Sequence, residues 1–220
     1  MRPSRPNPSL QPTCYGLRPP RAAELVSVKQ MRKTYIANSF HCFRDTRFGP
    51  VAILWSFHRR QPKIWRILLS RPGLSARRTV KSLFSSSISS SCIEVDVVAD
   101  QITAFLTGKD IRFSLSVARL DLCSEFQKNV LRAEHGIPRG NVSTYQRIAG
   151  YLGNAQAARA VGTALARNPF PIIVPCHRAI RSDRTLGGFQ GGIEMKRALL
   201  EMEGILLNGL DRVVSGQLFY

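Results

Sequence analysis

Acidic side chains are scarce in this chain: 14 Asp and Glu stand against 32 Lys and Arg in 220 residues, a formal charge of +18. The shortage is uneven. Residues 1–90 carry 17 basic and 2 acidic side chains, whereas residues 91–220 carry 15 and 12. A basic excess of this size attracts polyanions, nucleic acid foremost, while leaving fold and specificity open. For residues 1–45 the alternative is a solvated basic tail without a specific partner.

Long apolar runs are also missing. No stretch approaches the roughly 18 residues that a bilayer span requires, so the chain reads as soluble and without a membrane partner. No secretory leader is visible, and Cys14, Cys42, Cys92, Cys123 and Cys176 make an odd set with no C-x-x-C pair. That pattern argues against a disulfide framework and for reduced, intracellular thiols. Cys14, His41 and Cys42 lack the two close ligand pairs of common zinc sites. No metal and no cofactor are expected.

What is present divides the chain. Pro3, Pro6, Pro8, Pro12, Pro19 and Pro20 with scattered arginines mark residues 1–45 as a basic, disordered extension, or as a start placed too early. Residues 51–57 and 64–69 suit a hairpin of strands, residues 75–84 a basic helix, and the serine-rich residues 85–91 a linker or exposed loop. Val97, Val98, Ile102, Phe105 and Leu106 have helical spacing, and residues 112–117 alternate like a strand. From Ser124 the pattern turns helical. Ser124 caps one helix that ends before Gly136-Ile137-Pro138, Ser143 or Thr144 caps a second, and Asn154 opens a third that runs to Asn168-Pro169. The last two, joined by Leu152-Gly153-Asn154, form a helix-turn-helix candidate. A final helix over residues 194–203 stops at Gly204. The expected organisation is an extension (1–45), an α/β domain (46–118), a helical domain (119–208) and a tail (209–220).

The candidate chemistry sits at Pro175-Cys176-His177-Arg178, behind the apolar run Ile172-Ile173-Val174. A thiolate is the reactive form of cysteine, and a neighbouring histidine or arginine favours it. In an extended segment, however, Cys176 and His177 point to opposite faces, so a backbone bend or a bridging water would be needed to join them. A buried structural cysteine is the plain alternative.

Five further motifs give this one its context. Tyr145-Gln146-Arg147-Ile148-Ala149, Ala158-Arg159-Ala160-Val161-Gly162, Asn168-Pro169, the glycine-rich residues 187–192 and Leu199-Leu200-Glu201-Met202-Glu203-Gly204 flank it in order. Together they closely resemble the O6-alkylguanine-DNA alkyltransferases, from about Phe126 to Gly204 and more weakly back to Ile102. The resemblance implies an α/β fold, with a small N-terminal α/β (ribonuclease H-like) domain followed by a mainly helical, winged-helix-like DNA-binding domain bearing the reactive cysteine. It implies repair by irreversible, one-turnover transfer of an alkyl group from O6-alkylguanine, and from O4-alkylthymine, in double-stranded DNA to Cys176. The protein would act as a monomer in the cytoplasm at the nucleoid, or in a nucleus.

By the same resemblance Glu203 orients His177, which takes the thiol proton through a water, Tyr145 serves the leaving guanine, and Asn168 supports the geometry. Arg159 would fill the space left by an extruded base, on a smooth DNA-binding surface with Thr144, Gln156, Ala158 and Gly162. Ala179, Gly187, Gly188, Phe189 and Gln190 would wall the base pocket. This chain departs from the family pattern at Phe189 (usually tyrosine), Arg184 (usually glycine) and Ala179 (usually valine). Two rivals remain: a non-catalytic binder of alkylated DNA, which would lack the cysteine, and a cysteine hydrolase, which would need an oxyanion site outside this motif set.

Overall fold

In the computed structural model, which describes residues 39–215 and 217–220, the expected hairpin forms and lies inside a larger sheet. Strands β1 (Phe40–Arg44), β2 (Val51–His58) and β3 (Gln61–Leu68) are antiparallel, and β4 (Ile88–Ser89) joins β1 in parallel, giving the order β3-β2-β1-β4. The first six residues of β2 are all buried because both sheet faces are covered. Ile53 and Trp55 face the main core, while Ala52 and Leu54 pack with Ala76 and Val80 of helix α1 (Ala76–Leu83). Double coverage explains an unbroken apolar run where a half-exposed strand would alternate. Helix α2 (Ile93–Leu106) crosses the main-core face and buries Val95, Val98, Ala99, Ile102, Phe105 and Leu106, leaving Val97 outside.

The helical half starts where its capping residues put it. Ser124 Oγ accepts from Gln127 N (3.3 Å) at the head of α3 (Glu125–Gly136), and Thr144 Oγ1 accepts from Arg147 N (3.1 Å) at the head of α4 (Tyr145–Tyr151). Asn154 caps a 3-10 turn, Ala155–Ala157, that runs into α5 (Ala158–Ala166). Helix α6 (Ile193–Met202) ends as expected at Gly204, whose φ of 84° lets Ile205 N reach back to Leu200 O (3.0 Å). Beside these helices, β5 (Asn141–Thr144) pairs in parallel with β6 (Ala179–Ile180) and β7 (Gln217–Leu218).

Four expectations need correction. Residues 40–44, assigned to the basic extension, are strand β1; residues 1–38 lie outside the described residues. The serine-rich segment, expected as a linker or exposed loop, is exposed at Ile88 and Ser89 but supplies β4 there. Residues 112–117 form no strand: Ser114 Oγ accepts from Ser116 N (3.2 Å) and starts a 3-10 turn, Leu115–Val117, a local side-chain bond that competes with a ladder. The tail is built in, through buried Val213 and β7. The sheet and the helices share one apolar core, which runs from Trp55 and Ile53 through α2 to Val130, Ile148, Val161, Val174 and Cys176. The cysteine lies where the two halves meet.

Candidate active site

Asn168 shapes the approach to the cysteine. Its Oδ1 accepts from Phe170 N (2.9 Å) and its Nδ2 donates to Val174 O (3.2 Å), closing the loop that follows α5. Within that loop buried Ile172 holds a φ of 75°, a conformation that costs a β-branched residue on the order of 1–3 kcal/mol and persists only where the surroundings impose it. The chain then bends into a 3-10 turn, Cys176–Arg178. Three successive side chains leave such a turn in three directions, so the opposition expected of an extended segment does not arise.

His177 and Arg178 both turn to Glu203 at the end of α6. His177 Nε2 meets Glu203 Oε1 at 2.9 Å, Arg178 Nη2 donates to the same oxygen at 2.8 Å, and Arg178 Nε donates to Oε2 at 2.8 Å. Arg178 Nη1 also donates to Ile137 O at 2.5 Å, tying the turn to the end of α3. All three side chains are buried. Burial alone would raise the Glu203 carboxyl, but the His177 ring and the Arg178 fork outweigh it and pull it down to about 2. His177 is pushed the other way: burial lowers it more than Glu203 raises it, so the ring is neutral. With Nε2 donating to Glu203, Nδ1 is an acceptor with no hydrogen-bond partner among the described residues. The ring sits edge-on between Phe105 of α2 (5.8 Å between centroids) and Phe189 (6.1 Å).

The thiol of Cys176 is pushed up to about 11, first by burial and also by the charge of Glu134, with partial relief from the Asn168 side chain and Lys196. It therefore needs a base at neutral pH. Tyr145 is pushed up to about 12, again chiefly by burial, with Glu134 and Cys176 adding to it. Its hydroxyl lies against Gly187: a Cβ there, at a φ of 69°, would stand 2.8 Å from Tyr145 Oη, so only glycine fits.

The other expected pocket residues separate. Phe189 reaches His177, and Gly188 is exposed. Gln190 Oε1 instead accepts from Leu69 N (2.8 Å), fastening the loop to the end of β3, and Ala179 is fully buried. On the expected DNA-binding surface Arg159 and Gln156 are exposed, while Ala158 is half-buried against the core. Thr144 is buried with its hydroxyl engaged as the α4 cap. A Cβ on Gly162 would meet Tyr145 Cδ1 at 3.9 Å, so this glycine packs α5 against the site. These two residues support the surface from behind. A cleft of about 620 Å³, lined by Arg47, Arg71, Arg78 and Glu194 among others, lies beside the site and does not include Cys176.

Two buried ionisable residues were missed by sequence reasoning: Glu134 on α3 and Lys196 on α6, both fully buried. The signal was available. Glu134 follows Val130 and Leu131 by four and three positions, and Lys196 precedes Leu199 and Leu200 by the same spacings, so each lies on the apolar stripe of its helix. Among the described residues no group of three or more His, Cys, Asp or Glu side chains could hold a metal ion. Nor is any described helix long and apolar enough to cross a membrane.

Comparison with known proteins gives concordant findings. The family described as 6-O-methylguanine DNA methyltransferase, DNA binding domain, matches residues 125–205. A methylated-DNA–protein-cysteine methyltransferase of Methanothermobacter thermautotrophicus is 44% identical over 124 residues, which cover 56% of this chain and 69% of that protein. Among solved structures, an O6-methylguanine methyltransferase of Mycobacterium tuberculosis superposes with a TM-score of 0.58 at 32% identity, covering 75% of this chain and 92% of the other. A structure from the same organism in complex with DNA gives 0.58 at 31% identity, with 75% and 93% covered.

Proposed function

The chain belongs to the methylated-DNA–protein-cysteine methyltransferase family, and we propose that Cys176 is the sulfur that receives the alkyl group. The protein is a direct-reversal, single-turnover transferase that moves an alkyl group from DNA to a cysteine. The observation that carries the assignment to Cys176 is the buried His177–Glu203–Arg178 set beside it, with His177 Nδ1 left as an acceptor. Neutral His177 takes the thiol proton, directly or through a water, and Glu203 stabilises the imidazolium that forms. The sulfur attacks the alkyl carbon of O6-alkylguanine, the carbon–O6 bond breaks, and the electron pair leaves with the guanine. Tyr145, still protonated at neutral pH, donates a hydrogen bond or its proton to that leaving base. The product is a thioether, a poor leaving group, so each molecule acts once.

The O6 atom of a stacked base is out of reach of a buried sulfur, so the nucleotide must be extruded, at a cost of a few kcal/mol. Exposed Arg159 on α5 takes the vacated place, with Gln156 beside it, on DNA bound through phosphates and the minor groove. The charge of +18 supports this reading. O4-alkylthymine is a second substrate in the same pocket. The sheet half is read as ribonuclease H-like, on the strength of three antiparallel strands, a parallel fourth at the edge and a helix across one face. The protein works as a monomer in the cytoplasm, at the nucleoid, or in a nucleus.

Mass spectrometry after incubation with an O6-methylguanine oligonucleotide tests the assignment. One methyl group per protein, on the Cys176 peptide, is expected; methylation of Cys123 or repeated turnover would refute it. Arg159→Ala is expected to slow transfer from duplex DNA more than from free O6-benzylguanine, whereas Tyr145→Phe slows both.

A further inference from the structure

Glu134 and Lys196 are fully buried and both act electrostatically on Cys176, and the proton relay uses neither. They meet across the Ala179 peptide, three residues beyond the cysteine. Lys196 Nζ donates to Ala179 O at 2.6 Å, and the Ala179 N–H lies on the Glu134 side, where it acts on the carboxyl without either Glu134 oxygen gaining a full hydrogen bond among the described residues. Five groups act on this carboxyl electrostatically: Cys176 and Arg178 from the 3-10 turn, Lys196 from α6, Tyr145 from α4 and Tyr220 near β7. Arg178 is already committed, through two hydrogen bonds, to Glu203. Lys196 binds a carbonyl and no carboxylate, so its positive charge is open to two acids, Glu134 and the Cys176 thiol.

We propose that Glu134 is a positioning residue for alkyl transfer: protonated, it leaves the charge of Lys196 to stabilise the Cys176 thiolate, and ionised, it takes that charge and keeps the sulfur a thiol. This rests on Cys176 being the acceptor. No proton passes through Glu134; the thiol proton still goes to His177, and Glu134 only decides how costly the negative sulfur is. A like charge in a buried site disfavours ionisation of its neighbour, and an opposite charge favours it. Burial pushes the Glu134 carboxyl up to about 8 and the Lys196 ammonium down to about 8, so near neutral pH the carboxyl is protonated and the ammonium charged, and both states change as pH rises past about 8.

The test compares wild type, Glu134→Gln, Glu134→Leu and Lys196→Met over a pH series with two readouts. One is the rate of iodoacetamide labelling of the Cys176 peptide, followed by mass spectrometry. The other is single-turnover methyl transfer from an O6-methylguanine oligonucleotide. Below about pH 8 the wild-type and Glu134→Gln profiles should coincide, because both side chains are then neutral. Above it the variant should label up to about tenfold faster, with the apparent Cys176 titration lowered by about one pH unit. Lys196→Met should instead slow labelling by a similar factor below about pH 8, where the wild-type ammonium still carries its charge. Glu134→Leu guards against misfolding, since it replaces a carboxyl without full partners by an apolar side chain, and it should show the same thiol shift with a higher urea midpoint. A Cys176 titration unchanged in both Glu134 variants, or moved upward, overturns the proposal. Iodoacetamide labelling needs neither DNA nor methyl transfer, so a wrong acceptor assignment would show separately, as methyl groups on another cysteine.

Discussion

Between residues 40 and 118 the buried polar side chains are serines alone, Ser56, Ser70 and Ser87. The ion pairs of this half, Arg44 with Asp96 (2.6 Å) and Asp100 (2.8 Å) and Arg77 with Asp45 (3.1 Å), lie at the solvent boundary. Between residues 125 and 205 the interior is of another kind, for Glu134, His177, Arg178, Lys196 and Glu203 are all 7% exposed or less. Buried charge is seldom the cheapest way to stabilise a fold, since apolar residues of similar volume usually serve as well or better. Its concentration in one half, around one sulfur, marks that half as the place where stability yields to chemistry. The sheet half is the support that makes the concession tolerable.

The comparison breaks most sharply at the sulfur. Cys176→Ala should abolish alkyl transfer while leaving duplex binding intact in a gel-shift titration, whereas Cys42→Ala in β1 should leave transfer measurable at one equivalent. The second contrast is in stability. Removing Arg178 leaves Glu203 buried with the neutral His177 as its remaining partner, so Arg178→Ala should cost about 3–5 kcal/mol in urea unfolding. Arg44→Ala, which breaks pairs open to water, should cost about 1 kcal/mol or less. Equal losses would show that the two interiors are not different in kind.

Acid sharpens the same contrast more gently. The folded-state carboxyl of Glu203 is depressed to about 2 from the ordinary 4.5 of a free glutamate, so its stabilising contribution is present above pH 4.5 and is lost as pH falls toward 2. Glu203→Gln should flatten that part of the stability profile measured by thermal unfolding across pH. The smallest effect is expected from deleting residues 1–38. That segment holds seven basic residues and one acidic residue, so its removal should weaken nonspecific DNA binding and reduce the salt slope. The transfer rate at saturating DNA should hold, because Tyr145, Asn168, Cys176, His177 and Glu203 all remain.

The local chemistry of the helical half was readable because its signals are short-range. Ser124, Thr144, Asn154 and Gly204 each stop or start a helix through a bond to a residue at most five positions away. The motif residues Asn168, Cys176, His177 and Glu203 likewise lie together, as the family resemblance implied. What stayed hidden depends on distant partners. Strands β4 and β7 are two residues long and exist only because β1 and β5 offer an edge, a fact no local pattern records. Thr144 and Gly162 were assigned to a surface by their place in a motif, yet a capping bond and the Tyr145 ring occupy them. Glu134 and Lys196 escape any reading that equates charge with exposure, although their spacing puts them on the buried stripes.

The edge contact between Phe105 and His177 carries one more lesson, about inheritance. A wall of the His177 imidazole comes from the half of the chain that holds no motif, so the register of α2 is tied to the other half, as the end of β3 is through Gln190. A helical half grafted onto a foreign sheet would keep every signature residue and lose the Phe105 side of the His177 ring, with only Phe189 left against it. Kinship in this architecture is therefore better judged by whether an aromatic residue of the crossing helix still faces the histidine than by identity along the sheet.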